Sequence, residues 1–196
     1  NANFSPPEME YREVYGAVFS QKRNNAKVTQ EMMTKVVVAG AKNDKTGTIT
    51  MPPAAVRDLV VASIAIKYTQ SNSVAYALNG QVIGVGAGQQ SRVDCVKLAG
   101  QKVRTWWLRR HPKVMDGLVF KEGSKRQARV NARVRYIEGD LTDFEREAWE
   151  QQFVSPPAPL TAADKDSFLA TLSGTALSSD AFFPFRDSID HASKYG

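Results

Sequence analysis

The stretch "SVAYALNGQVIGVGAGQQSR", residues 73–92, reads as two strands joined by a two-residue turn and followed directly by a helix. Asn79-Gly80 supplies the two positive-φ residues that such a hairpin turn requires, with apolar runs on both sides. Gly84, Gly86 and Gly88 stand on alternate positions as the second strand runs out, and Val93, Val96, Val103 and Trp107 then recur near helical spacing. A strand that feeds a helix start collects backbone N–H groups, so the glycine turn, with Arg92 beside it, is expected to hold an anion. The pattern is not the dinucleotide fingerprint: Gln89 follows the third glycine, and the preceding strand is the second of a hairpin.

Upstream, "TMPPAAVRDLVVASIAIKY" predicts a mostly buried helix, capped by Thr50, with prolines in its first turn and Val56, Leu59, Val60, Ser63 and Ile64 on one face. Between that helix and the hairpin lie Thr69, Gln70, Ser71, Asn72 and Ser73, uncharged polar groups that must find backbone, ion or ligand partners. Residues 1–12 read as an entering linker, since Pro6 and Pro7 block regular pairing. "YREVYGAVFSQKRNN" is open between strand and short helix, "TKVVVAG" reads as a buried strand, and residues 39–50 as an inserted surface loop. Downstream, "EGDLTDFEREAWEQQF" predicts an acidic amphipathic helix with Leu141, Phe144, Trp149 and Phe153 inward, and Thr161 with Asp164 a capped helix start. "SSDAFFPFRDSID" is either aromatic core with a charged rim or a flat apolar slot edged by carboxylates, suited to a planar heterocycle with N–H donors.

The 196-residue length suits one α/β domain, and no apolar run approaches the roughly 20 residues a bilayer needs, so no membrane partner is expected. One cysteine, Cys95, excludes an internal disulfide and suits a reducing cytosolic compartment. Beginning at Asn1 and closing after "HASKYG", the sequence is expected to be part of a longer protein. With one Cys and two His, zinc ligand sets cannot be assembled, and no G-x-S-x-G occurs. From Lys102 to Arg135 eleven Lys/Arg face two acids, a block that would meet nucleic acid, a phosphorylated metabolite, a polyanionic tail or an acidic partner.

Three longer motifs in order, "KYTQSNSVAYALNGQVIGVGAGQQSR", "WWLRRHP" and "SSDAFFPFRD", resemble the transformylase part of the AICAR transformylase/IMP cyclohydrolase family, a likeness that runs from about "FSQKRNN" to the C-terminus. The resemblance implies formyl transfer from 10-formyltetrahydrofolate to the 5-amino group of the nucleotide AICAR, and a homodimer with active sites across its interface. It implies a layered mixed sheet with helices, similar to the cytidine deaminase-like fold but without zinc. It assigns nucleotide contacts to Asn72, Arg92 and Phe182, and folate contacts to Val93, Asn131, Pro184, Phe185 and Asp187. A structural potassium ion would involve Thr69, Ser71, Ser73 and Asp180.

The sequence also departs from the family. Its catalytic Lys-His pair has no counterpart, because the two histidines follow Arg110 and Asp190, and around Asn131 "RVNARVRY" carries Arg133 and Val134 where the family has an apolar residue and an acid. The chain is therefore expected to be the C-terminal part of a transformylase domain, without the cyclohydrolase domain or the upstream catalytic part, and inactive alone. A rival reading is a basic module for single-stranded nucleic acid, with Trp106 and Trp107 as stacking plates.

Overall fold

In a computed structural model that describes residues 3–33 and 51–196, the chain opens with the strands β1 (Met9–Val14) and β2 (Ala17–Lys22). There follow α1 (Pro53–Lys67), β3 (Ser73–Leu78), β4 (Gln81–Ala87), α2 (Arg92–Leu108), α3 (Pro112–Met115), α4 (Arg126–Glu138), α5 (Asp143–Glu150), α6 (Ala162–Leu169), β5 (Ala176–Ser179) and α7 (Arg186–Ala192). The "TKVVVAG" strand, the loop over 39–50 and the Thr50 cap lie outside the described residues. The segment left open between strand and helix is a hairpin, in register from Met9 opposite Lys22 to Val14 opposite Ala17. Pairing starts two residues after Pro7, so the entering linker is shorter than 1–12: the prolines remove their own donors and not those of Met9 onward.

The second sheet has the order β4-β3-β5, and its pairs are antiparallel, where a mixed sheet was the expectation. β3 is central, and Val74, Ala75, Tyr76 and Ala77 are almost wholly buried, because helices cover both faces. Ala75 and Ala77 meet Ala62 and Ile66 of α1 on one face, while Val74 and Tyr76 meet Cys95, Val96, Ala99 and Val103 of α2 on the other. The hairpin turn forms as its residues dictate, with φ of 53° at Asn79 and 78° at Gly80.

Two expectations are corrected here. Gly84 and Gly86 lie within β4, not in an anion-binding turn: a Cβ on Gly86 would run into the Cys95 carbonyl, and one on Gly84 into the Ala99 carbonyl and, at 2.7 Å, Val103 Cγ2. These glycines let the backbone of α2 rest directly on the strand. The buried edge of α1 runs through Asp58, Ala62 and Ile66, whereas Ile64 is 44% exposed. The reason is Asp58, whose buried carboxylate accepts from the N–H groups of Asn79 (2.8 Å) and Gly80 (2.6 Å) and from Arg57 Nε (2.9 Å). Burial opposes its charge, but these donors outweigh that and hold its pKa below the usual aspartate value.

A second core joins the end of α2 to α4 and α5 through Leu108, Ala132, Tyr136, Ile137, Trp149 and Phe153. Phe144 does not share it and is 84% exposed. The Thr142–Glu145 capping box begins α5 at Asp143, and the five-residue step from Phe144 to Trp149, about 140° around the helix, puts Phe144 outward while Trp149 faces in, its Nε1 donating to Ala132 O at 2.9 Å. The Thr161–Asp164 capping box opens α6 as its sequence predicts.

Gly86→Ala should lower unfolding free energy by about 2–3 kcal/mol through overpacking against α2, and Gly88→Ala, which meets open space at a φ of 68°, by only about 1 kcal/mol. Urea midpoints of the two variants check this, and a larger loss at Gly88 would contradict the packing role.

Candidate functional site

The antiparallel register brings the start of β3, the end of β5 and the start of α2 to one end of the sheet, where Ser73 pairs with Ala87 and Val74 with Ser179. A cavity of about 550 Å³ opens there. Asn72, Gln90, Ser91, Arg92 and Val93 line one wall, and Ala181, Phe182, Pro184, Phe185, Asp187 and Ser188 the other.

Arg92 is the first residue of α2 and is only 8% exposed. Its Nη1 donates to Ser73 O at 3.1 Å and to the Asp180 carboxylate, and its Nη2 to Asn72 Oδ1 at 2.9 Å. Three of the five guanidinium donors are thus taken by the protein, leaving Nε–H and one Nη2 proton for a ligand. The Asn72 amide is fixed in turn, since its Nδ2 donates to Gln89 O at 3.1 Å and Gln90 O at 3.3 Å. Of the backbone donors at the start of α2, Asp94 N donates to Ser91 Oγ and Cys95 N to Ser91 O, both at 3.2 Å, while those of Arg92 and Val93 make no hydrogen bond to the described residues. With Gly84 and Gly86 inside β4, the spare guanidinium donors and the N–H groups of Arg92 and Val93 are what this end of α2 offers an anion.

Asp180 gathers Ser73 N at 3.0 Å, the Ser71 hydroxyl and Arg92. Burial raises its pKa, but these hydrogen bonds, with the charge of Arg92, reverse the sign and hold it below the usual aspartate range. Thr69 Oγ1 turns back to Ile66 O at 2.8 Å, at the C-terminus of α1. Ser73 Oγ is buried without a partner. The four residues named for potassium thus present oxygen donors alone, one of them an unsatisfied buried hydroxyl, a set that fits a hard monovalent cation. Among the described residues no group of three or more His, Cys, Asp or Glu gathers for a metal.

On the facing wall, Phe182 is 79% and Phe185 72% exposed, while Phe183 packs into the core beside α2. The two exposed rings are therefore not part of the core, and they line the cavity. Asp187 accepts from Ser188 N at 2.6 Å through Oδ1, and its Oδ2 is left to the cavity. Asn131 is not brought to this site; it sits exposed on α4, outside the cavity lining. Gln90, Ser91, Ala181 and Ser188 were not singled out by sequence, and only their adjacency to named residues could have found them.

Neither histidine lines the cavity. His111 caps α3 by accepting from Lys113 N at 3.1 Å and packs edge-on against Phe168, and His191 lies in α7. Cys95 is buried, donates to Asn72 O at 2.9 Å, and has its thiol pKa pushed up by burial. Both tryptophans of the pair are half-buried. Arg110 covers the Trp106 ring at 3.6 Å, and Trp107 Nε1 donates to Phe168 O at 3.1 Å. No helix among the described residues is long and apolar enough to cross a membrane.

The model of the AICARFT/IMPCHase bienzyme family matches residues 1–102, over half of the chain. The chain belongs to the AICARFT/IMPCHase bienzyme family. It is 28% identical over 188 residues, 96% of its length, to the bifunctional purine biosynthesis protein PurH of Magnetococcus marinus, and covers 23% of that protein. It is 36% identical over 98 residues, half of its length, to PurH of Bradyrhizobium diazoefficiens, and covers 17% of it. The chain thus spans under a quarter of the length of these curated family members.

Asp180→Asn should lower stability by about 3 kcal/mol at neutral pH, because it leaves Arg92 buried without its counter-charge. A depressed pKa contributes stability that is complete above the ordinary aspartate value of about 3.9 and fades as pH falls through the lower native value. The gap between the two proteins should accordingly narrow below about pH 4 in denaturation curves; a gap that is constant from pH 7 to pH 3 would contradict this.

Proposed function

We propose that this cavity is the nucleotide and folate cleft of an AICAR formyltransferase, which moves a formyl group from 10-formyltetrahydrofolate to the amino group of AICAR. One observation carries the reading: Asn72, Arg92 and Val93 face Phe182, Pro184, Phe185 and Asp187 across a single cavity, although nearly ninety residues separate the walls in sequence. The spare Arg92 donors and the remaining lone pair of Asn72 Oδ1 supply polar recognition for the nucleotide. Phe182 and Phe185 offer apolar faces for a flat heterocycle, and Asp187 Oδ2 accepts from the amino and ring N–H edge of a pterin. Formyl transfer between two held substrates draws on their alignment and on exclusion of water between the walls. In this reading potassium, when bound by Thr69, Ser71, Ser73 and Asp180, supplies a fixed positive charge beside the β3 start. The layered sheet with helices on both faces agrees with a fold similar to cytidine deaminase. The whole protein would work as a cytosolic homodimer with its sites at the interface.

Chemistry is a separate matter from binding. Among the described residues that line the cavity there is no imidazole, thiol or amine, and the one carboxylate, that of Asp187, is committed in this reading to the pterin. The chain alone should bind both ligands and release no tetrahydrofolate from 10-formyltetrahydrofolate and AICAR; appreciable turnover in a spectrophotometric assay would contradict this. Asp187 is exposed, so Asp187→Asn should leave stability unchanged and weaken folate binding by about 1.5–3 kcal/mol. Calorimetric titration checks it, and an unaltered Kd would remove Asp187 from the site. Arg110 over the face of Trp106 favours this reading over single-stranded nucleic acid.

A further inference from the structure

We propose that a second cleft, where α4 ends against α5 and α6, binds a small oxyanion, a carboxylate or a phosphate, carried on a flat apolar body. The cleft holds about 340 Å³, in the range of small-molecule sites, and shares no lining residue with the nucleotide and folate cavity. At its base lies Lys165 of α6, only 8% exposed. An ammonium group carries three donors, yet among the described residues Lys165 Nζ has one acceptor, Glu138 O, at 3.3 Å. Across the cleft stands Arg146 of α5, whose guanidinium makes no hydrogen bond or ion pair to the described residues. Arg135, on the same rim, is already paired with Glu145 at 3.1 Å. Two cations that make no ion pair with the described residues thus line one cleft, and an oxyanion would satisfy both.

The walls define the rest of the ligand. Tyr136 and Trp149 lie nearly parallel, with centroids 6.0 Å apart. Their polar tips are spent on backbone, Tyr136 OH on Ala158 O at 2.7 Å and Trp149 Nε1 on Ala132 O at 2.9 Å, so toward the cleft they present carbon alone. Pro159 and Leu160 complete an apolar wall. Glu150 on the rim repels a second negative group and limits the occupant to a single anionic end.

Calorimetric titration of the 196-residue chain with benzoate, phenyl phosphate and inorganic phosphate tests the proposal. Benzoate or phenyl phosphate should bind saturably, the tighter of the two identifying the anionic group, and inorganic phosphate more weakly than phenyl phosphate. Arg146 is exposed, so Arg146→Gln should fold normally and weaken binding about tenfold or more, as should Lys165→Met. Asp187→Asn, in the other cleft, should leave it unchanged. Absence of saturable binding by all three probes, or binding untouched by Arg146→Gln, overturns the site; inorganic phosphate binding as tightly as phenyl phosphate overturns the apolar part of it.

Discussion

The buried contact between Arg92 and Asp180 is the constraint on which the cleft depends. An uncompensated guanidinium in that position would be strongly destabilising, so the helix start that carries Arg92 and the segment after β5 that carries Asp180 are held to one another. Ser73 stands between them, with its N–H on Asp180 and its carbonyl on Arg92. Asn72 extends the network to the turn before α2. Three stretches remote in sequence become one rigid rim, and the aromatic segment at 182–185 follows directly from its last member.

That rim explains how exposed aromatic rings can serve as walls. Phe182 and Phe185 gain little by packing and lie open to solvent, but the chain on either side is anchored: Asp180 to the buried pair, Phe183 to the core against α2, and Ser188 in the buried base of α7. Side chains carried on an anchored backbone keep their place without being buried themselves, which is what a binding surface for flat rings requires. Close seating of α2 on β4 over Gly84 and Gly86 sets the position of Arg92 at the helix start.

Local chemistry was the most legible part of the sequence. Asn79-Gly80 marked the hairpin because few residue pairs accept two positive φ angles, and Thr161 with Asp164 marked a helix start because the reciprocal cap needs that spacing. What failed were inferences that depend on tertiary neighbours. Alternate glycines mean an open cradle or a close helix approach, and only the position of α2 decides between them. The inner face of α1 was misjudged because apolar spacing does not register a buried aspartate that caps a distant turn. Phe144 stands five residues before Trp149, about 140° away around the helix, so the two do not share the inner face that apolar content suggests for both. In the site, residues clustered in two short motifs share the cavity, whereas Asn131, on a separate helix, lies outside it.

Titrating AICAR into the isotopically labelled chain and following backbone amide shifts by NMR tests the central claim most directly. The account predicts that the perturbed amides concentrate at 72–73, 90–93 and 181–188, on the two walls joined by Arg92 and Asp180. Shifts confined to the basic helices beyond residue 100, or no saturable shifts at all, would contradict it.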